Sequence, residues 1–413
     1  MNIKKTVTLL FITFATLVNA QESTKVKVYG FVSNEFFYNS RQNVELVDGI
    51  LQLFPKPIEL SLGIDKNAVD QAEMLCVNSR VGLDITGSPI LGAKSSGKIE
   101  ADFAGFGTSY YVFRIRQAYM KLSWEKTELI IGQTWHPLFG NLAPTTFSAN
   151  SGAPFQPFNR SPQVRIKETL SKTLSITAAA LYEMQYASQG PLSATTSGAS
   201  SVFMKNAIVP ELFVGMENKT KHWTLGVGVD MKTLKPEPLN DSKITSISAS
   251  AYAQYANAKF QVKGKTTYGE NLSDQLMLGG YGVSKYASDS ATVQSYTNFK
   301  NMNTWVNVVY GTKLQVGLLL GASTNLGTND NLDLRKGKKI TAYGLSFYDA
   351  SQQVLDKLYR VAPQVSYNLP NFKFGLELDY TKATYGAIQR DGSAKNTYNV
   401  NNKRVLASVA YIF

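Results

Sequence analysis

Cysteine is almost missing from this chain of 413 residues: Cys76 stands alone. Neither an internal disulfide framework nor a thiolate metal cluster can be built from one thiol. Histidine is nearly as scarce, with only His136 and His222. A hydrolase centre needs a nucleophile, a base and an orienting group. His222 sits beside Lys221 and Trp223 in what reads as a short turn, and His136 has no evident Ser–Asp partners. The chain reads as a protein that is not an enzyme and that takes no cofactor and no metal. Residues 330–333 (DNLD) are the one acidic cluster that suggests calcium, and a solvated turn accounts for them more simply.

Long apolar runs are missing too. After position 20 nothing approaches the ~20 residues that a membrane helix needs. A mean hydropathy of −0.15 and 17% charged residues suit a soluble protein. They equally suit a transmembrane β-barrel, in which apolar and polar positions alternate and average out. Aromatics at 11%, with 22 Tyr and 21 Phe, favour the barrel, whose girdles are aromatic.

Residues 1–20 read as a secretory signal: Lys4 and Lys5, an apolar stretch from Val7 to Val18, and the small residue Ala20 before the expected cut at Gln21. Without Lys4 and Lys5, 40 basic residues face 30 acidic ones, an excess of +10. No RNP-like or zinc motif accompanies that excess, which excludes a nucleic-acid reading. The dense cluster at 335–339 (RKGKK) suits an outer loop against acidic lipid headgroups.

Period-2 alternation recurs along the rest. In LCVNSRVGLDI, Leu75, Val77, Val81, Leu83 and Ile85 share one face; Cys76, Asn78, Arg80, Gly82 and Asp84 share the other. Trp223, Leu225, Val227 and Val229 oppose Thr224, Gly226, Gly228 and Asp230, and Phe372, Phe374, Leu376 and Leu378 oppose Lys373, Gly375, Glu377 and Asp379. Short connections at 88–93, 125–127, 169–172, 219–222, 256–258, 311–312 and 369–371 alternate with long ones at 40–72, 105–111, 136–161, 185–206, 233–244, 270–294, 326–357 and 382–400. Seven short and eight long connections predict sixteen strands of about 9–11 residues. The fold class is all-β, an antiparallel transmembrane barrel over 21–413. An even strand number returns both termini to the periplasmic side, and closure leaves no edge for lipid to meet.

At the C-terminus Val405, Ala407, Val409, Tyr411 and Phe413 alternate to the last residue. This is similar to the closing strand of bacterial outer-membrane barrels. The resemblance implies that Val409, Tyr411 and Phe413 serve as a signal to the barrel-assembly machinery. Between 78 and 139 the segments NSRVGLDITG, KIEADFAGFG, FRIRQAYMKL and LIIGQTWHPLFG follow one another, with GGYGVS at 279–284, KLQVGLLLGAS at 313–323 and RVAPQVSYNLPNFKFGLELDYTKATYG at 360–386. In that order they resemble the DcaP-type porins. The resemblance implies a homotrimeric outer-membrane diffusion channel of a Gram-negative bacterium, surrounded by lipid and lipopolysaccharide and favouring small acidic solutes. Some members carry a heptad-patterned N-terminal extension, whereas here Gln21–Thr24 precede the first strand, so trimerisation is expected to rest on barrel packing.

On the inward positions the alternation places Arg80, Lys98, Arg114, Arg116, Arg165 and Lys167, a basic wall suited to anions such as dicarboxylates. Asp84, Glu100 and Asp102 share the wall, and the alternative is that they neutralise these cations in a structural network. Loop 136–161 (HPLFGNLAPTTFSANSGAPFQPFNRS) contains no Asp or Glu. By its place it is expected to fold inward as a constriction, with His136, Phe139, Phe155, Phe158 and Arg160 on a stiff, partly apolar lip; the alternative is a loop packed outside, on itself or on a neighbouring subunit. The Ser-, Thr-, Asn- and Gly-rich loops leave a second function open, that of an adhesin or receptor.

Overall fold

The computed structural model describes residues 24–413 apart from 106–111, 194, 288–291 and 336–338. The expected signal segment 1–20 and most of the basic cluster 335–339 therefore lie outside the described residues. Sixteen antiparallel staves close into a barrel. They are β1 Lys25–Asn39, β2 in two pieces (Gln71–Leu75 and Arg80–Thr86), β3 Lys94–Asp102, β4 Arg114–Ser123, β5 Thr127–Trp135 and β6 Arg160–Thr169. Next come β7 Leu174–Leu181, β8 Glu211–Lys219, β9 Trp223–Leu234, β10 Ile244–Ala256 and β11 Phe260–Glu270. The last five are β12 Val293–Gly311, β13 Leu314–Thr328, β14 Gln353–Asn368, β15 Phe372–Ile388 and β16 Ala394–Ile412.

Alternation sets the two faces. Along β9, Trp223, Leu225, Val227, Val229 and Met231 are exposed, while Thr224, Gly226, Gly228, Asp230 and Lys232 are buried. Burying the polar set and exposing the apolar set is the reverse of a water-soluble sheet. It is stable where hydrocarbon surrounds the barrel and the polar groups partner one another inside. Outward aromatics mark both rims of that belt: Phe260 and Tyr268, Tyr367 and Tyr359, Phe372 and Tyr380. Each pair is eight residues apart, roughly 26 Å along a strand, or about 20 Å at a tilt of ~40°. That is close to the ~25 Å apolar band of such barrels.

Closure runs from Phe31↔Ile412 to Asn39↔Arg404 on one side of β1, and from Lys25↔Thr86 to Phe31↔Arg80 on the other. Phe413 continues the ladder by exchanging backbone bonds with Gly30, at 3.0 and 3.1 Å. A Cβ on Gly30 would lie 2.7 Å from the Phe413 ring and 2.3 Å from the Arg80 carbonyl, so only glycine fits.

Two sequence expectations need correction. Leu75 and Val77 do not share a face with Val81, Leu83 and Ile85; they are buried in the interior cluster with Phe37. The stave breaks at 76–79, where Ser79 N–H donates to the Cys76 carbonyl (3.0 Å), and that break shifts the phase. The long connection expected at 382–400 is a tight turn at 389–393 between strands of 17 and 19 residues. Pairs such as Tyr385↔Tyr398 continue the ladder there. Those residues stand beyond the apolar belt, so the hydrophobic signal stops while the backbone keeps pairing.

The interior is filled in part by two segments. One is 136–159, between β5 and β6. The other is a hairpin within the first long connection, Asn43–Leu46 paired with Leu51–Pro55, all five residues of the second arm being buried.

Candidate functional site

The inward positions of β2, β3 and β4 build one charged ladder. Arg80 stands opposite Asp102, which stands opposite Arg114; Asp84 faces Lys98. A bulge in β4 turns Arg116 and Gln117 both inward, so two consecutive residues reach Glu100. Arg114 Nε donates to Asp102 Oδ1 at 2.7 Å. Arg116 spans both acids, with Nε on Glu100 Oε1 at 2.8 Å and one terminal nitrogen on Asp102 Oδ2 at 2.7 Å. Arg80 lies 3.8 Å from Glu100. Lys98 pairs with Asp84 at 2.7 Å and donates to the Tyr29 hydroxyl at 2.8 Å, which in turn donates to Glu100 at 3.0 Å. Three guanidinium groups thus serve two carboxylates, and a positive excess remains. Arg114 and Arg116 are sequestered, with 13% and 7% of their side chains exposed, against 21% and 23% for Arg80 and Lys98.

Arg165 and Lys167 stand apart from this ladder on β6. Among the described residues neither has a carboxylate within ion-pair distance. They line a cavity of about 120 Å³ with Glu128, Asn141, Glu217 and Tyr252.

Segment 136–159 follows the opposite wall. Lys265 on β11 donates to the Leu138 and Phe139 carbonyls at 2.9 and 2.7 Å, and Lys263 to Ala143 O and Thr145 Oγ1, both at 3.1 Å. Asn307 on β12 accepts from Thr145 N–H at 2.9 Å, and Gln364 on β14 donates to its carbonyl at 2.6 Å. At the tip, Phe147 N–H donates to Glu377 on β15 at 2.7 Å. The Phe147 ring fills the space over Gly375, where a Cβ would lie 2.0 Å from it. No motif in the sequence marks these wall residues as loop partners. The available signal was glycine at inward positions (Gly321, Gly375) beside long polar side chains.

The expected lip residues are mostly interior packing. Phe155 and Phe158 are buried, Phe155 against Gly321. Phe139 stacks on Trp135 at 4.0 Å. Arg160 is wholly buried over the Trp135 ring at 4.3 Å and donates to Gln185 at 2.8 Å. Aromatic rings and a guanidinium plane bury well together, which explains why these residues pin the segment to the wall.

His136 is buried at the root of the segment. Leu138 N–H donates to its Nδ1 at 3.1 Å, so the ring proton sits on Nε2 and is given to Glu211 Oε1, also at 3.1 Å. Both nitrogens are thereby used. His136, Glu211 and Asp230 are the one cluster of possible metal ligands among the described residues. A ring whose Nδ1 accepts a backbone proton offers no lone pair at Nε2. His222 is exposed, with Nδ1 3.0 Å from the Ala256 carbonyl, and Asp333 accepts from Tyr286 N–H at 3.0 Å.

No protein-family model and no curated protein sequence matches the chain. Solved structures do. The outer membrane channel DcaP of Acinetobacter baumannii is similar at 18% identity with a TM-score of 0.65, over 95% of this chain and 99% of that one. The outer-membrane-expressed OmpT of Vibrio cholerae is similar at 10% identity and 0.56, over 95% and 99%. An anion-selective porin from Comamonas acidovorans is similar at 10% identity and 0.53, over 95% and 100%. The fold of this chain is that of the sixteen-stranded outer-membrane channels.

Proposed function

We propose that the protein is a passive outer-membrane channel of a Gram-negative bacterium for small hydrophilic solutes, with a preference for anions such as dicarboxylates. The observation that carries this reading is the imbalance on one wall. Arg80, Arg114 and Arg116 outnumber Glu100 and Asp102, and Arg165 and Lys167, beside the single Glu128 that stands opposite Lys167, add two cations with no carboxylate within ion-pair distance among the described residues. Segment 136–159 opposite has no acid to offset them. In a narrow pore with low-dielectric walls such an excess raises the local anion concentration, and planar guanidinium forks suit carboxylates. The acidic partners hold the forks in place, so Arg80, Arg165 and Lys167 meet the solute while Arg114 and Arg116 set the potential. The selectivity of the structurally similar Comamonas acidovorans porin supports the same sign.

This reading places the apolar belt in lipid, lipopolysaccharide around the long-loop end, the protein in a homotrimer held by barrel packing, and the C-terminal strand as its signal to the barrel-assembly machinery. A reversal potential measured across a planar bilayer in a KCl gradient tests it. Anion selectivity is expected; clear cation selectivity would overturn the preference and leave the channel. The second reading, a surface interaction protein, is favoured by the tip of the first long connection, where Leu60, Leu62 and Ile64 are 66%, 101% and 72% exposed. Such a role coexists with a pore.

A further inference from the structure

The hairpin at 43–55 enters the barrel and is held there by backbone carbonyls rather than by side-chain fit alone. Arg404 on β16 donates to Gly49 O at 3.0 Å, and its guanidinium lies 4.2 Å over the Phe37 ring. Tyr385 on β15 donates to Pro55 O at 2.7 Å. The turn at the hairpin tip runs through Val47, Asp48 and Gly49, all at positive φ. Gly49 has no room for a side chain: a Cβ would lie 2.7 Å from the Phe37 ring. Gln52, Leu53 and Phe54 are completely buried. The hairpin therefore occupies the sector of the lumen beside β14, β15, β16 and β1.

One side chain joins this hairpin to the other inward segment. Arg360 on β14 is 2% exposed. Its Nε meets Asp379 at 2.9 Å and Thr381 Oγ1 at 2.9 Å, both on the wall. One terminal nitrogen donates to Ala153 O of segment 136–159 at 3.0 Å; the other donates to Leu53 O of the hairpin at 2.7 Å. Asn150 adds a direct bond between the two segments, donating to Gln52 O at 2.7 Å. A planar fork with its donors aimed at four different partners cannot be replaced by an ammonium, which lacks that fixed geometry.

We propose that the hairpin 43–55 is a second pore-narrowing element, and that Arg360 is the positioning residue that fixes it and segment 136–159 as one unit. By filling the lumen beside β14, β15, β16 and β1, with segment 136–159 along β11–β15, the pair confines the water path to the remaining sector, where the basic wall lies. The inference rests on the channel reading. The test is single-channel recording of the purified, folded protein in planar bilayers, with a heat-modifiable gel shift to verify each barrel. In one variant, Glu45–Leu53 is replaced by Asn-Gly between Val44 and Phe54, which already pair across the hairpin. Conductance is expected to rise roughly twofold or more, because the narrowest section sets the current. Glu45→Gln with Asp48→Asn, which removes the same charges and leaves the chain in place, is expected to conduct like the parent. Arg360→Lys keeps a cation beside Asp379 but loses the fork, and Tyr385→Phe loosens the hairpin without touching that pair. Both are expected to flicker between substates where the parent is steady. Unchanged conductance on shortening the hairpin overturns the narrowing, and steady traces in both point variants overturn the coupling. A parent that forms no channel would overturn the channel reading and this inference with it, whereas a conducting parent with unaltered variants overturns the inference alone.

Discussion

At the scale of the residue, inward cations here have two different occupations, and substitution separates them. Arg116 is locked between Glu100 and Asp102. Arg116→Ala leaves two sequestered carboxylates short of partners, which costs about 3–5 kcal/mol. The variant is expected to melt lower and to lose anion preference, read by thermal denaturation in detergent and by reversal potential. Arg165 has no such partner, so Arg165→Ala is expected to lower anion preference with its melting temperature unchanged. An equal loss of stability in both variants would show that Arg165 is also structural.

At the scale of the element, β15 shows how a strand positions a loop. Its inward residues alternate between grip and clearance: Gly375 admits the Phe147 ring, and Glu377 accepts the Phe147 N–H. Gly375→Val places side-chain atoms where that ring lies. The tip of segment 136–159 is then expected to lift from the wall, and the record should show a changed and noisier open-channel current. A trace identical to the parent would mean that the tip does not border the ion path. The same logic explains β2, where the break at 76–79 lets Leu75 and Val77 pack inward above a membrane-type alternation that resumes at Arg80.

At the scale of the whole molecule, Phe413 has both a structural and a proposed cellular role. Its backbone closes the ring on Gly30, and the proposed role, implied by the resemblance to outer-membrane closing strands, is that of an assembly signal. Deleting Phe413 removes two of many closing hydrogen bonds, so refolding from denaturant into detergent is expected to succeed. The amount of folded barrel recovered from outer membranes should fall severalfold, measured by the unheated gel band. A parallel failure of refolding would assign the residue to closure alone.

The sequence by itself determined the barrel. Phe413, Tyr411 and Val409 set a register, and sets such as Trp223 to Met231 carry it round the ring, because side chains on a strand alternate and lipid tolerates no edge. It also determined which side Arg80, Lys98, Arg114, Arg116, Arg165 and Lys167 face. Only the tertiary structure decided which of them are bound to carboxylates. Asp102 stands directly opposite Arg114, but Arg116 and Gln117 reach Glu100 together only through a bulge in β4, and a bulge leaves no mark on hydrophobic period. The second inward segment was not legible, because LQLFP at 51–55 looks like ordinary loop composition, and the inward course of 136–159 was expected from its place in the chain rather than from its residues. What draws them inside are carbonyl-seeking groups, Lys263, Lys265, Arg360 and Arg404, supplied by strands more than a hundred residues away. Alternation is a local property of a chain, whereas the partner of a buried charge is chosen only when distant staves come together.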